Sequence, residues 1–319
     1  MYRTVATGIL FALYFVFGVA TPIFSENIGF GPLFSDVLVN SRRMSTEMAH
    51  KDDIRVINLN SDKILSITHH QASYYRPGGT QKLNVLVATG VGYSPKRMRF
   101  LEPLNGCQGQ HLNTAVKTLE RQGCLAGSNA GFFGMDNGMC LGNAIFDGYQ
   151  QIFGGSNTNI GVLKDGRLLV GYMQSETIRN TDIDTLIQGI GWLVRDGENY
   201  VAEAREIEHI DDIFADEFAP RVALGVTADG VIKLVQAEGF EPELKGLSLH
   251  QFADFLVTRE NIQHAVNLDG GGSTTLMRYN TLLNKCSDEC FPFMQMSECG
   301  TSPNKCLRRV SSVLCFKDT

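Results

Sequence analysis

Between residues 147 and 230 four Asp-Gly pairs punctuate the chain, at Asp147-Gly148, Asp165-Gly166, Asp196-Gly197 and Asp229-Gly230. Each lies between apolar runs, as Ile160 to Leu163 lies against Leu168 to Tyr172. Asp and Gly tolerate the positive φ angles that a tight two-residue hairpin demands. Four such turns predict an antiparallel body built from hairpins. Further β-rich runs, Ile54 to Leu59, Ile64 to His69 and Leu83 to Thr89, extend the same pattern. Only two helices stand out. One covers roughly Leu112 to Gln122 with Gly123 as its stop. The other runs from about Leu249 to Glu260 behind the Ser248-X-X-Gln251 capping box, with Phe252, Phe255 and Leu256 as its apolar stripe. The expected fold is an α+β single domain, hairpin-rich, with a mixed or antiparallel sheet, few helices and disulfide staples.

Composition narrows the function classes. With 43% apolar and 19% charged residues the chain is neither disordered nor a polytopic membrane protein. A formal charge of −6 without any basic run removes the electrostatic footprint of a nucleic-acid binder. Glycine stands at 33 of 319 residues, about 10% against a usual 7% or so, which again favours tight turns.

The N-terminus and the cysteines set the compartment. A basic start at Arg3, an apolar heart from Ile9 to Val19 and the small pair Gly18 and Ala20 read as a signal peptide over residues 1–20. The same stretch would serve as a signal anchor if uncleaved, the one route by which a membrane enters the reading. Residues 21–53 carry little periodicity and a dibasic Arg42-Arg43, as expected of a propeptide or arm; residues 54–319 would form the domain. Eight cysteines follow, an even number that favours disulfides behind a secretory signal. A zinc site from Cys286, Cys290, Cys299 and Cys306 lacks the usual paired spacing. Pairing is not readable from spacing; the working assignment is Cys107 with Cys140, Cys124 with Cys315, Cys299 with Cys306, and Cys286 with Cys290. The chain contains no Asn-X-Ser/Thr sequon. His69-His70 reads as an exposed strand end rather than a metal pair, and no cofactor is expected.

Three local features carry chemistry. The sharpest runs from Ala265 through Asn267, Leu268, Asp269, Gly270, Gly271, Gly272 and Ser273 to Thr275. An apolar strand ends there in a carboxylate, then a glycine triplet with hydroxyls behind it. Three glycines let backbone N–H groups approach a bound oxyanion, and Ser273 and Thr275 can add donors. The missing lysine and narrower glycine spacing exclude a P-loop. A glycine-rich turn with a capping aspartate is the plainer alternative. The second feature is Gly127-Ser128-Asn129-Ala130-Gly131-Phe132-Phe133, followed by Cys140-Leu141-Gly142-Asn143. The amides of Asn129 and Asn143 suit sugar hydroxyls, or else simply shape turns. The third is Pro220-Arg221-Val222-Ala223-Leu224-Gly225, then Gln236-Ala237-Glu238-Gly239. An arginine entering a strand could clamp a phosphate bidentately, or form a surface ion pair.

In this order the three features resemble the phosphodiester glycosidase family. The resemblance extends from about Cys107 to Cys315 and takes in Trp192-Leu193-Val194-Arg195-Asp196-Gly197 and the closing Cys306-Leu307-Arg308-Arg309-Val310-Ser311. It implies removal of N-acetylglucosamine from a phosphodiester, exposing mannose 6-phosphate on glycoproteins bound for lysosomes. The partner would be a phosphodiester-bearing glycan or glycoprotein, met in the Golgi, an endosome or lysosome, or outside the cell. It also implies an active site lined by Asn129, Gly131, Arg221, Asp269, Gly270 to Gly272, Ser273 and Thr275. Asp269 would act at the anomeric carbon and Arg221 with the glycine amides on the phosphate. Asn129 and Asn143 would orient the sugar, and Glu238 would add a second carboxylate. Ala130, Glu238 and Val226 depart from the family pattern. Those departures leave open a hydrolase of another sugar phosphodiester, or a non-catalytic carbohydrate-binding protein on the same scaffold.

Overall fold

The computed structural model describes residues 52–59, 66–76, 78–89, 97–109, 111–290, 299 and 304–317. The expected signal peptide, and all but the last two residues of the expected arm, lie outside the described residues. Among those described, every strand ladder is antiparallel, and three sheets carry nearly all of the structure.

The Asp-Gly pairs do form hairpins, but in two geometries. Asp147-Gly148 and Asp196-Gly197 have positive φ at both residues, as a two-residue turn requires. At Asp165-Gly166 and Asp229-Gly230 only the glycine is positive. There Leu163 N donates to Arg167 O, and Thr227 N to Val231 O, closing wider loops of three residues. The expectation of four two-residue turns is therefore corrected to two and two.

A six-stranded sheet runs in the order Asp53–Ile57, Leu168–Tyr172, Asn159–Leu163, Ile183–Gln188, Ala144–Phe146, Tyr149–Ile152. A seven-stranded sheet is ordered Glu198–Asn199, Trp192–Arg195, Ile262–Leu268, Arg221–Thr227, Ile232–Ala237, Gly79–Thr89, Ser66–Arg76. A five-stranded sheet joins Thr281–Leu282, Leu276–Arg278, Ala126–Asn129, Val313–Phe316 and Met98–Leu101. The central strands of the second sheet, Arg221–Thr227 and Ile262–Leu268, are buried along almost their whole length. That double-sided burial suits their continuous Val, Leu and Ala content.

The two expected helices are present as Ala115–Arg121 and Leu249–Thr258. The second starts on the reciprocal Ser248 and Gln251 capping box. Short helices Ser175–Asn180, Val201–Glu208 and Asp212–Asp216 are additional; they are too brief to show helical periodicity in the sequence. The lone tryptophan, Trp192, is fully buried with its ring edge-on to Tyr172 at 5.4 Å, joining the first two sheets. Beneath it the buried Glu208 carboxylate accepts from Thr158, Tyr172 and the amides of Gly191 and Trp192. Burial raises its pKa, and those four donors satisfy it in place of water.

Four disulfides staple the body. Cys107–Cys140 and Cys124–Cys315 match the working assignment. The other two are corrected to Cys286–Cys299 and Cys290–Cys306. The short ladder pairing Asp288 with Cys306 and Glu289 with Lys305 brings Cys290 alongside Cys306, a register invisible in the spacing. His70 lies inside strand Ser66–Arg76 rather than at a strand end, and its Nε2 sits 3.0 Å from Glu260.

Candidate functional site

Strand Ile262–Leu268 delivers Asp269 at the end of the seven-stranded sheet, and strand Ala126–Asn129 delivers Asn129 from the five-stranded one. The fully buried Asn129 ties them together. Its Nδ2 donates to the Asp269 carbonyl at 2.6 Å, and its Oδ1 accepts the Thr275 amide at 3.0 Å. The Asp269 amide in turn donates to the Ala130 carbonyl at 2.9 Å. Three bonds thus fix the carboxylate-bearing corner, and Asn129 spends its side chain on positioning rather than on solvent.

The Asp269 side chain is buried, and its Oδ2 has no hydrogen-bond partner among the described residues. Burial pushes its pKa up to about 7, against the opposing pull of the Ser273 hydroxyl and the Arg308 charge. A buried carboxyl with one free oxygen is an expensive arrangement unless something else is to meet it. The Thr274 hydroxyl is likewise buried without a partner, whereas the Thr275 hydroxyl donates to the Ser273 carbonyl at 3.0 Å. Of these two threonines, the expected donor Thr275 is therefore committed to the backbone and Thr274 is free.

The glycine triplet is crowded for a reason the sequence did not reveal. A side chain on Gly272 would collide with the Arg308 guanidinium and the Asp288 carboxylate. One on Gly271, which sits at φ +53°, would come within 2.7 Å of Glu241 Oε1. The Gly272 amide donates to Glu241 Oε2 at 2.6 Å, while the Gly271 amide donates to the Pro220 carbonyl at 2.8 Å. The triplet does present an N–H to an oxyanion, and that oxyanion belongs to Glu241.

Arg308 is the cation of this corner. Its Nε and Nη2 reach Asp288 Oδ2 at 3.1 and 2.6 Å, and Nη2 also reaches Glu241 Oε2 at 2.5 Å. Burial pulls its pKa down, but Glu241, Asp288 and Asp269 together outweigh that and hold it above the ordinary arginine value. Arg308, Asp288, Glu241 and Thr274 were not among the expected site residues. For Arg308 a signal was available: it lies two residues past a disulfide cysteine in the closing motif. Its neighbour Arg309, however, is exposed and looks the same in sequence.

Several of the expected site residues are engaged by other groups of the chain. Arg221 donates from Nε to Leu247 O at 3.0 Å, and from Nη2 to the carbonyls of Phe214 and Glu217 at 3.0 and 2.8 Å. With those donors committed, a two-pronged phosphate clamp is not available. Its fully buried guanidinium lies over the Phe214 ring, and burial lowers its pKa to about 10. Asn143 is filled by Asn159, Gln188 and the Gly154 amide, so its side chain shapes a loop rather than reaching a sugar. Glu238 accepts from Asn84 Nδ2 at 2.7 Å and the Lys285 amide at 3.1 Å, bracing two segments. Gly131 packs against Ile187 and donates to Ser312 Oγ. Ala130 and Val226 are buried, and their methyls sit in the core.

Beside this corner lies a pocket of about 270 Å³ walled by Phe132, Leu141, Ile152, Phe153, Gln188 and Ile190. Two of its walls are tied to the strand carrying Asp269. The Ile190 amide donates to the Asn267 carbonyl, and Asn267 Nδ2 returns a bond to Ile190 O at 3.0 Å. Phe132 follows Ala130, the residue that holds the Asp269 amide.

Residues 122–316 match the model of the phosphodiester glycosidase family, more than half of the chain. The chain belongs to the phosphodiester glycosidase family. A curated relative, N-acetylglucosamine-1-phosphodiester alpha-N-acetylglucosaminidase of Bos taurus, is 33% identical over 224 residues, 67% of this chain and 40% of the relative. The Homo sapiens protein of the same name is 32% identical over 224 residues, again 67% of this chain and 41% of the relative. The chain thus spans about two fifths of the length of those relatives. A solved zebrafish catalytic domain of that name, described as auto-inhibited by its pro-peptide, superposes with a TM-score of 0.74 at 26% identity. It covers 88% of this chain and 93% of the zebrafish one. Among the described residues, no helix of this family member is long and apolar enough to cross a membrane.

Proposed function

We propose that the chain hydrolyses N-acetylglucosamine from an α-N-acetylglucosamine-1-phosphodiester and exposes mannose 6-phosphate on glycoproteins. The observation that carries this reading is the buried Asp269 with its free Oδ2, set beside the Arg308 cation on a glycine turn. The names and identities of the relatives support the choice of substrate. Four disulfides suit an oxidising lumen, where such glycoproteins travel.

The chemistry follows from the leaving group. A phosphate monoester is already stable as an anion, so breaking the C1–O bond needs little of the general-acid help that ordinary glycosides require. What remains is to stabilise positive charge at the sugar and hold the phosphate. Ionised Asp269 faces the anomeric carbon and takes the proton of the attacking water. Water oxygen bonds to C1, the C1–O bond breaks with its electrons on the phosphate oxygen, and free N-acetylglucosamine leaves. Arg308 holds the phosphate and Thr274 adds a hydroxyl. Asn129 positions Asp269, and Arg221 braces the wall behind it. The apolar pocket by Phe132 receives the sugar.

Turnover in ¹⁸O-labelled water tests the reading. The label is expected at C1 of the released N-acetylglucosamine and absent from the phosphate. Label in the phosphate would mean P–O cleavage and would overturn the glycosidase mechanism.

A further inference from the structure

Glu241 Oε2 accepts two convergent hydrogen bonds, from Arg308 Nη2 at 2.5 Å and the Gly272 amide at 2.6 Å. A guanidinium N–H and a backbone N–H meeting on one anionic oxygen is the donor set that a phosphoryl oxygen takes. The two carboxylates on Arg308 are not equivalent. Asp288 is 3% exposed, takes two bonds from the guanidinium and has its other oxygen on the Glu289 amide. Glu241 is 24% exposed and rides on the three-residue turn Glu241–Glu243, which ends in the exposed, left-handed Leu244. Asp288 alone neutralises Arg308. Glu241 leaves the corner with negative charge in excess, and a bound phosphodiester would add one more.

We propose that Glu241 is a resident stand-in for the substrate's phosphate: its carboxylate fills the anion seat of Arg308 and Gly272 in the unliganded chain and swings out when a phosphoryl group enters. The inference rests on the reading of Arg308 as the phosphate-holding residue and adds to it a residue that sets affinity. Exchanging one anion for another keeps the charge of the corner constant. The cost of moving Glu241 is subtracted from the affinity for any phosphorylated ligand.

The test is calorimetric titration of inorganic phosphate into the purified full chain, wild type beside Glu241→Gln and Glu241→Ala. Both variants are expected to bind phosphate at least about tenfold tighter, equivalent to about 1.4 kcal/mol, and to lower KM for the diester by a similar factor. Folded variants that bind phosphate no tighter than wild type would overturn the proposal, showing Glu241 to be a fixed brace. Deuterium exchange of residues 240–246 in the wild type gives a readout free of mutation. Exchange there should rise on phosphate saturation, and unchanged or slower exchange overturns the stand-in role. Tighter phosphate binding without diester cleavage would leave the seat intact and reject the reaction. Cleavage without the gain in binding would reject the seat alone.

Discussion

Asn129 and Asp269 stand 140 positions apart and are joined by a 2.6 Å hydrogen bond from the Asn129 amide to the Asp269 carbonyl. That bond holds the ends of two different sheets at one corner. It makes Asn129 a positioning residue with a definite signature. Asn129→Asp keeps the size but replaces the donor with a repelling oxygen. It should lower kcat with little change in KM and destabilise the chain by about 1–3 kcal/mol. Steady-state kinetics and a urea melt check both; a KM effect alone would place Asn129 on the substrate instead.

Asp269 has a raised pKa, and the sign of its linkage to stability is fixed by that. The folded state holds the proton up to about pH 7, whereas an unfolded aspartate releases it near its ordinary value of 3.8. Between those values the folded state binds more protons, so stability falls as pH rises. Asp269→Asn should therefore be more stable than wild type at pH 8, by a few kcal/mol at most, with the difference vanishing below about pH 4. Melting curves at the two pH values decide it. Activity should move the other way: kcat/KM rises with pH through about 7 as the carboxylate forms, and a flat profile would remove Asp269 from the reaction.

Arg221 and Arg308 should respond oppositely. Arg221→Ala leaves the carbonyls of Phe214, Glu217 and Leu247 without their donor, and should cost about 3–5 kcal/mol in a denaturant melt. Arg308→Lys keeps the charge but loses the fork that spans Asp288 and Glu241, and should raise KM for the diester about tenfold or more. If Arg221→Ala remained fully stable and only KM rose, the assignment of the two arginines would be reversed.

The Cys290–Cys306 bridge closes a 16-residue separation, and Asp288 and Arg308 pair two residues outside it on either side. Replacing both cysteines by serine should remove about 3 kcal/mol of stability. It should also weaken phosphate binding, because Arg308 follows Cys306 by two residues. A variant with wild-type phosphate affinity would show that the ladder alone holds Arg308.

The hairpins were legible because Asp-Gly constrains φ locally, and the helix behind Ser248 because its cap lies within four residues. Asp269 was legible because a strand, an acid and three glycines adjoin one another. Arg308 was not: what distinguishes it from Arg309 is the fork onto Asp288 and Glu241, which only the folded chain forms. Arg221 misled for a related reason. A buried arginine serving three carbonyls and one clamping a phosphate look alike until the acceptors are known. The cysteine pairs erred where Cys286 and Cys290 sit close enough to suggest each other, yet each is bridged across a later segment.

The most direct measurement is hydrolysis of an N-acetylglucosamine-α-phospho-mannose diester by the purified chain beside its Asp269→Asn variant. Free N-acetylglucosamine and mannose 6-phosphate should appear with the wild type, and at least about 100-fold more slowly with the variant, about 2.7 kcal/mol of transition-state stabilisation. Equal rates from both folded proteins, or binding of the diester without release from either, would contradict the account.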